Sequence, residues 1–140
     1  MENRKDITRE AVISVYRRYE GVTWYVQAVL NALFAQTPPD GICSEDMVDA
    51  AVQQVIGQQS FAYTSLLYQL PAKQKEVLLA ICHEGKAANI TSRPFLQRYH
   101  LTASTVQAAV RGLMEKDFIT QDLGVYSVCD QFFASWLLQQ

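Results

Sequence analysis

The sequence predicts a mainly α-helical protein in two parts, a helical bundle over residues 1–69 followed by a mixed domain of similar size over residues 70–140. Three observations carry that reading. Apolar residues recur at helical spacing along most of the chain. Period-two alternation is confined to 118–121 and 125–128, enough for a single two-stranded hairpin. Apolar residues make up 49% of the 140 and charged residues 19%, a globular composition and not a disordered one.

In the first part, residues 7–19 place Ile7, Val12, Val15, Tyr16 and Tyr19 near one helical face. Gly21 stops that helix, and Thr23 is positioned to cap the next. Residues 24–36 are apolar on most sides (Trp24, Tyr25, Val26, Val29, Leu30, Leu33, Phe34), which predicts a buried helix. The run from Thr37 through Pro38, Pro39 and Asp40 to Gly41 reads as a loop. Ser44 opens a capping pattern, and Val48, Ala51, Val52, Val55 and Ile56 give a third helix to about Gly57. Phe61, Tyr63, Leu66, Leu67 and Leu70 suggest a fourth that ends before Pro71.

The second part begins with a helix over 72–83, with Val77, Leu78, Ile81 and Cys82 inward, and Gly85 ends it. After a loop through Asn89, Thr91 or Ser92 caps a short helix that holds Phe95, Leu96 and Tyr99. His100 and Leu101 make a turn. Thr102 or Ser104 caps the next helix, with Val106, Val110, Leu113 and Met114 inward. Strands 118–121 and 125–128 flank a turn at Asp122, Leu123 and Gly124. Asp130 caps a last helix that carries Phe132, Phe133, Trp136 and Leu137. Helix, short helix, turn, helix, two strands and helix is the order of a winged helix-turn-helix with a two-stranded wing.

Charge and cysteine usage narrow the function. The formal net charge is −2. Residues 1–70 hold five Lys/Arg against eight Asp/Glu, and residues 71–140 hold seven against six. Neither part has the strongly basic balance of a dedicated nucleic-acid binder. Cys43, Cys82 and Cys129 are odd in number and far apart, which argues against a disulfide framework or a structural zinc site and for a reducing cytoplasm. The start, residues 1–6, is charged and has no signal-peptide core behind it, and no apolar run approaches the ~18 residues of a membrane span. His83 and His100 have no acidic or cysteine neighbours at ligand spacing, so no metal is expected. No Ser or Cys sits in a pattern with His and Asp, which leaves no catalytic residues to assign.

The opening of the second part, Leu70, Pro71, Ala72, Lys73, Gln74, Lys75, Glu76, Val77 and Leu78, resembles the start of the C-terminal winged helix of archaeal and bacterial AAA+ ATPases. Residues 102–106 and 113–119 are similar there too, as is the ending Tyr126, Asp130, Phe132, Phe133, Trp136. Residues 16–34, with the turn Glu20, Gly21, Val22, Thr23, Trp24, look like the helical lid of the same proteins. The resemblance implies that Arg17, Arg18, Gly21, Thr23 and Trp24 lie near a nucleotide in the parent protein. The plain alternative is a solvated helix face and a helix-to-helix turn with aromatic anchors. The chain has no GxxxxGK[ST] phosphate loop and no apolar strand ending in acids for magnesium. ATP and magnesium are therefore expected only in the parent ATPase, with its missing nucleotide-binding domain as the first partner. Trp24, Tyr25 or Phe34 should then be more exposed than their chemistry warrants.

The helix after Thr102 stands where a recognition helix enters the major groove. Its outward residues are expected to be Ser104, Thr105, Gln107, Ala108, Arg111 and Glu115. Gln107 suits adenine and Arg111 guanine or a phosphate, with Arg93, Arg98, Lys73 and Lys75 as supporting contacts. Glu115, Asp117 and a wing tip without Lys or Arg argue against DNA and for an interdomain or partner-binding surface, which leaves a protein effector or DNA as the possible partner. Two functions follow. One is a non-catalytic regulatory region of a larger ATPase. The other is a stand-alone winged-helix transcription regulator.

Overall fold

The computed structural model describes residues 5–140; the charged run 1–4 lies outside them. The chain divides into two compact units, one ending at Gln59 and the other spanning Ser60–Gln140. Both are predominantly helical, as the sequence predicts, with eight α-helices among the described residues.

In the first unit, β1 (Asp6–Ile7) pairs in parallel with β2 (Ile42–Cys43). Helix α1 (Arg9–Arg18) starts later than the expected residue 7, because Thr8 is the cap and its Oγ1 accepts the Ala11 N–H at 3.1 Å. Its buried face is Ala11 and Val15, continued by Tyr19, a four-residue repeat. Val12 and Tyr16, expected on that face, sit one residue further round and are exposed. Helix α2 (Thr23–Gln36) is preceded by Val22, so Thr23 is the first helical residue and not the cap. Only Val29 and Leu33 on α2 are fully buried, which corrects the expectation of a helix enclosed on most sides. The stripe packs between α1 and α3 (Val48–Gln58), and the remaining apolar surface stays partly open. Val48, Ala51, Val52 and Ile56 form the inward face of α3 as expected. A 3₁₀ turn over Glu45–Met47 leads into α3. At the end of α2, buried Thr37 donates its hydroxyl to the Leu33 carbonyl at 2.7 Å, which fixes the start of the proline loop.

The second unit holds α4 (Ser60–Tyr68), α5 (Ala72–Glu84), α6 (Arg93–Tyr99), α7 (Ala103–Glu115), the hairpin β3 (Ile119–Asp122) and β4 (Val125–Val128), and α8 (Gln131–Leu138). Helix α5 is the hub, packing on α7, α8 and β4. Val77, Leu78, Ile81 and Cys82 are buried, as the sequence predicts. Helix α7 buries Val106, Ala109, Val110 and Leu113, but Met114 faces out at 38% exposure, one residue past the stripe. The wing pairs Ile119 with Val128 and Asp122 with Val125. Asp122 therefore belongs to the strand and Phe118 does not. The turn is only Leu123 and Gly124, with φ of 51° and 79°, and two positive φ values give the primed turn that matches strand twist. Ala87, read as loop, bridges Tyr126 through reciprocal 2.8 Å bonds and lengthens the wing sheet on one side. Asp130 caps α8 by accepting the Phe132 and Phe133 N–H groups. No helix among the described residues is long and apolar enough to cross a membrane.

Candidate functional site

Two surfaces carry the residues singled out in the sequence. The first is the corner between α1 and α2. Gly21 has φ 73°, a left-handed backbone that favours glycine, and a Cβ there would also displace the end of the Tyr16 ring, 2.7 Å away. Tyr16 covers the turn and is itself 58% exposed, beside Val22 at 44% and Trp24 at 65%. Trp24 meets Tyr25 edge-on at 5.2 Å, and Tyr25 stacks on buried Tyr19 at 5.5 Å. Burial pushes the Tyr19 hydroxyl up, against the pull of neighbouring Arg18. The expected exposure is thus met at Trp24, while Tyr25 and Phe34 are half-buried. Thr23 and Arg17 are exposed at the same corner. Arg18 is turned away, bound to Asp49 on α3 at 2.6 Å. That partner lies 31 residues along the chain, and no local signal announces it.

The second surface is the outer face of α7. Thr102 caps the helix, accepting the Thr105 N–H at 3.3 Å. Ser104, Gln107, Ala108, Arg111 and Glu115 are exposed and Thr105 is half-buried, as the helical phase predicts. Ser104, Thr105 and Ala108 line an open cleft of about 380 Å³ together with Pro71, Lys73 and Gln74. The supporting cations are mostly engaged. Lys73 pairs with Glu76 at 3.2 Å, Arg98 pairs with Glu84 at 2.7 Å, and Lys75 lies over the Tyr68 ring at 5.2 Å. Arg93 and Arg111 make no ion pair among the described residues. The Tyr99 hydroxyl donates to Glu84 at 3.0 Å and is pushed up chiefly by burial. The wing tip offers Leu123, 97% exposed, and no cation.

Helices α5, α6 and α7 with a bridged hairpin and a closing helix are the parts of a winged helix, and residues 61–139 match the family described as a probable winged helix domain. The chain belongs to that family. It matches no curated protein and no solved structure. The matched residues take in α4, which packs on α8. In this winged helix, the face of α7 presents Arg111 as its one cation, with Glu115 one turn on. Phosphate-driven affinity grows with the number of cations placed on the backbone. The face is therefore polar and nearly neutral. Among the described residues no group of three or more His, Cys, Asp or Glu is placed to hold a metal.

The winged helix also buries a thiol. Cys82 Sγ donates to the Ala134 carbonyl at 3.3 Å, joining α5 to α8, and burial pushes it up to about 11. The native state therefore holds the proton more tightly than the unfolded chain. Stability from this group is complete below about pH 9 and falls as pH rises towards 11. The stability gap between the native chain and Cys82→Ala, measured by urea unfolding, is expected to narrow across that window. A gap that widens with pH contradicts the assignment.

Proposed function

We propose that this winged-helix protein acts as the non-catalytic regulatory region of a larger, cytoplasmic AAA+ type ATPase. In this reading the first unit responds to nucleotide held by a separate core, and the winged helix relays that state to a protein partner. The observation that carries it is the α1–α2 corner. An indole 65% exposed, beside exposed Tyr16 and Val22, leaves an apolar surface of the kind another domain covers. Arg17 and Thr23 stand exposed at that corner and suit phosphate and hydroxyl contacts, whereas Arg18 is held by Asp49. ATP and its magnesium would supply the hydrolytic chemistry in the core, and this chain would contribute positioning only. The near-neutral face of α7 favours a protein effector as the downstream partner.

The test is the native mass of the gene product in its source cells, read by immunoblot, with azido-ATP photolabelling of the same material. A band well above the mass of these 140 residues, labelled at residues 17–24, is the expected result. A band at the chain's own mass overturns the reading. The second reading, a stand-alone DNA-binding regulator, is favoured by one observation: Arg93 and Arg111 make no ion pair among the described residues, and Gln107 is exposed on α7. It requires duplex binding whose log affinity falls with log salt by about 0.9 per phosphate contact, with Gln107→Ala relaxing sequence preference.

A further inference from the structure

A second cleft of about 200 Å³ lies within the winged-helix unit, away from the outer face of α7. Helix α4 supplies Tyr63 and Leu66, the turn after α7 supplies Lys116, Asp117 and Phe118, and the start of α8 supplies Asp130 and Phe133. Its floor is aromatic: Phe133 lies 5.1 Å from Tyr63 and 5.8 Å from Phe118, centroid to centroid. Tyr63 and Phe133 are buried, whereas Leu66 is 40% exposed and leads out along α4. Two carboxylates stand on this lining. Asp130 uses one oxygen, Oδ1, for both capping bonds of α8, so Oδ2 takes no part in the cap. Asp117 is held at φ 63°, a left-handed position, with its N–H on the Met114 carbonyl at 3.1 Å. Both carboxylates are near the Cys129 thiol, which burial first and then the charges of Asp117 and Asp130 push up. The single cation on the lining, Lys116, is turned to Gln74, donating to its Oε1 at 2.9 Å.

We propose that this cleft seats a basic side chain, arginine or lysine, projecting from a protein partner. Charge complementarity selects that occupant. An alkyl stem fits over Leu66 and Phe118, the charged head reaches Asp117 and Asp130, and the ring system favours a cation near it. Phosphate and nucleic acid are repelled by the same two carboxylates. The cleft would work in this way with or without an attached ATPase.

The probe is the peptide acetyl-Leu-Arg-Leu-amide, titrated into the ¹⁵N-labelled full chain, with its citrulline counterpart as the neutral isostere. Amide shifts are expected at Tyr63, Leu66, Asp117, Phe118 and Asp130. Citrulline is expected to bind at least about tenfold more weakly, the weight of one charge-assisted hydrogen bond. Asp117→Asn with Asp130→Asn should give the same loss while keeping the fold, because asparagine caps helices and adopts left-handed backbone readily. Glu115→Gln, outside the cleft, should leave binding unchanged. Equal binding of citrulline, shifts that map elsewhere, a Glu115→Gln effect matching that of the double variant, or no shifts at millimolar peptide would each overturn the proposal.

Discussion

Replacing Trp136 by alanine is expected to destabilise the second unit by about 3–5 kcal/mol. Trp136 is 5% exposed, stacks on Phe133 at 5.9 Å and tilts against Tyr63 at 5.7 Å. Its indole N–H also donates to Ser60 Oγ at 3.1 Å, so it ties both the first residue and the middle of α4 to α8. Apart from Tyr63, the residues of α4 are exposed or half-buried. Phe61 is 87% exposed and Tyr68 77%. The loss is therefore to be read in two ways, as a lower urea midpoint and as faster amide exchange along α4. Trp136→Phe keeps a ring but drops the N–H, with about 1 kcal/mol expected from that bond. Phe61→Ala, a change of comparable chemistry on the open side, should stay within about 0.5 kcal/mol. Equal losses at Phe61 and Trp136 would contradict the packing described for α4.

The first unit has its own counterpart. Leu33→Ala is expected to cost about 3–5 kcal/mol, because Leu33 has no exposed surface and fills the stripe by which α2 meets its neighbours. Its carbonyl also receives the Thr37 hydroxyl, so a shift of the emptied turn disturbs the entry to the proline loop. Trp24→Ala removes a larger side chain from the same helix, yet it should cost less than about 1 kcal/mol, since most of the indole already faces solvent. Urea titrations followed by NMR of the first unit separate the two. A Trp24→Ala loss equal to that of Leu33→Ala would place the indole in a core and remove the observation behind the proposed nucleotide-responsive corner.

Most of the architecture was legible because helical phase is a local property. The stripe Val106, Val110, Leu113 settles which side of α7 faces in, and so hands Ser104, Gln107 and Arg111 to solvent without further information. The same logic slipped at the edges of the buried stripes. Met114 and Val12 each lie one residue beyond a buried stripe, where a 100° rotation turns an apolar side chain outward. The pairing of β1 with β2 was illegible, since two residues are too few to show alternation. The bridge from Ala87 is a single residue and leaves no pattern. On the candidate surfaces, residue identity pointed to the positions but not to their engagement. Arg98 and Arg18 looked alike as free cations, and their partners Glu84 and Asp49 lie 14 and 31 residues away. The acidic, ring-floored cleft was likewise hidden, because its lining comes from three separated segments.

The two small sheets differ in when they can close as the chain is made. The β3–β4 turn needs only Leu123 and Gly124 between strands, so the hairpin can zip within microseconds of its last residue being added. Asp6 and Ile7 must wait for Ile42 and Cys43. At about 5–20 residues per second, a separation of 36 positions (42 − 6) takes roughly 2–7 s to synthesise. During that interval α1 and α2 can coil locally while the edge that joins them to β2 stays unpaired. The nascent first unit is thus a pair of helices with an open seam, and one short segment near residue 42 seals it.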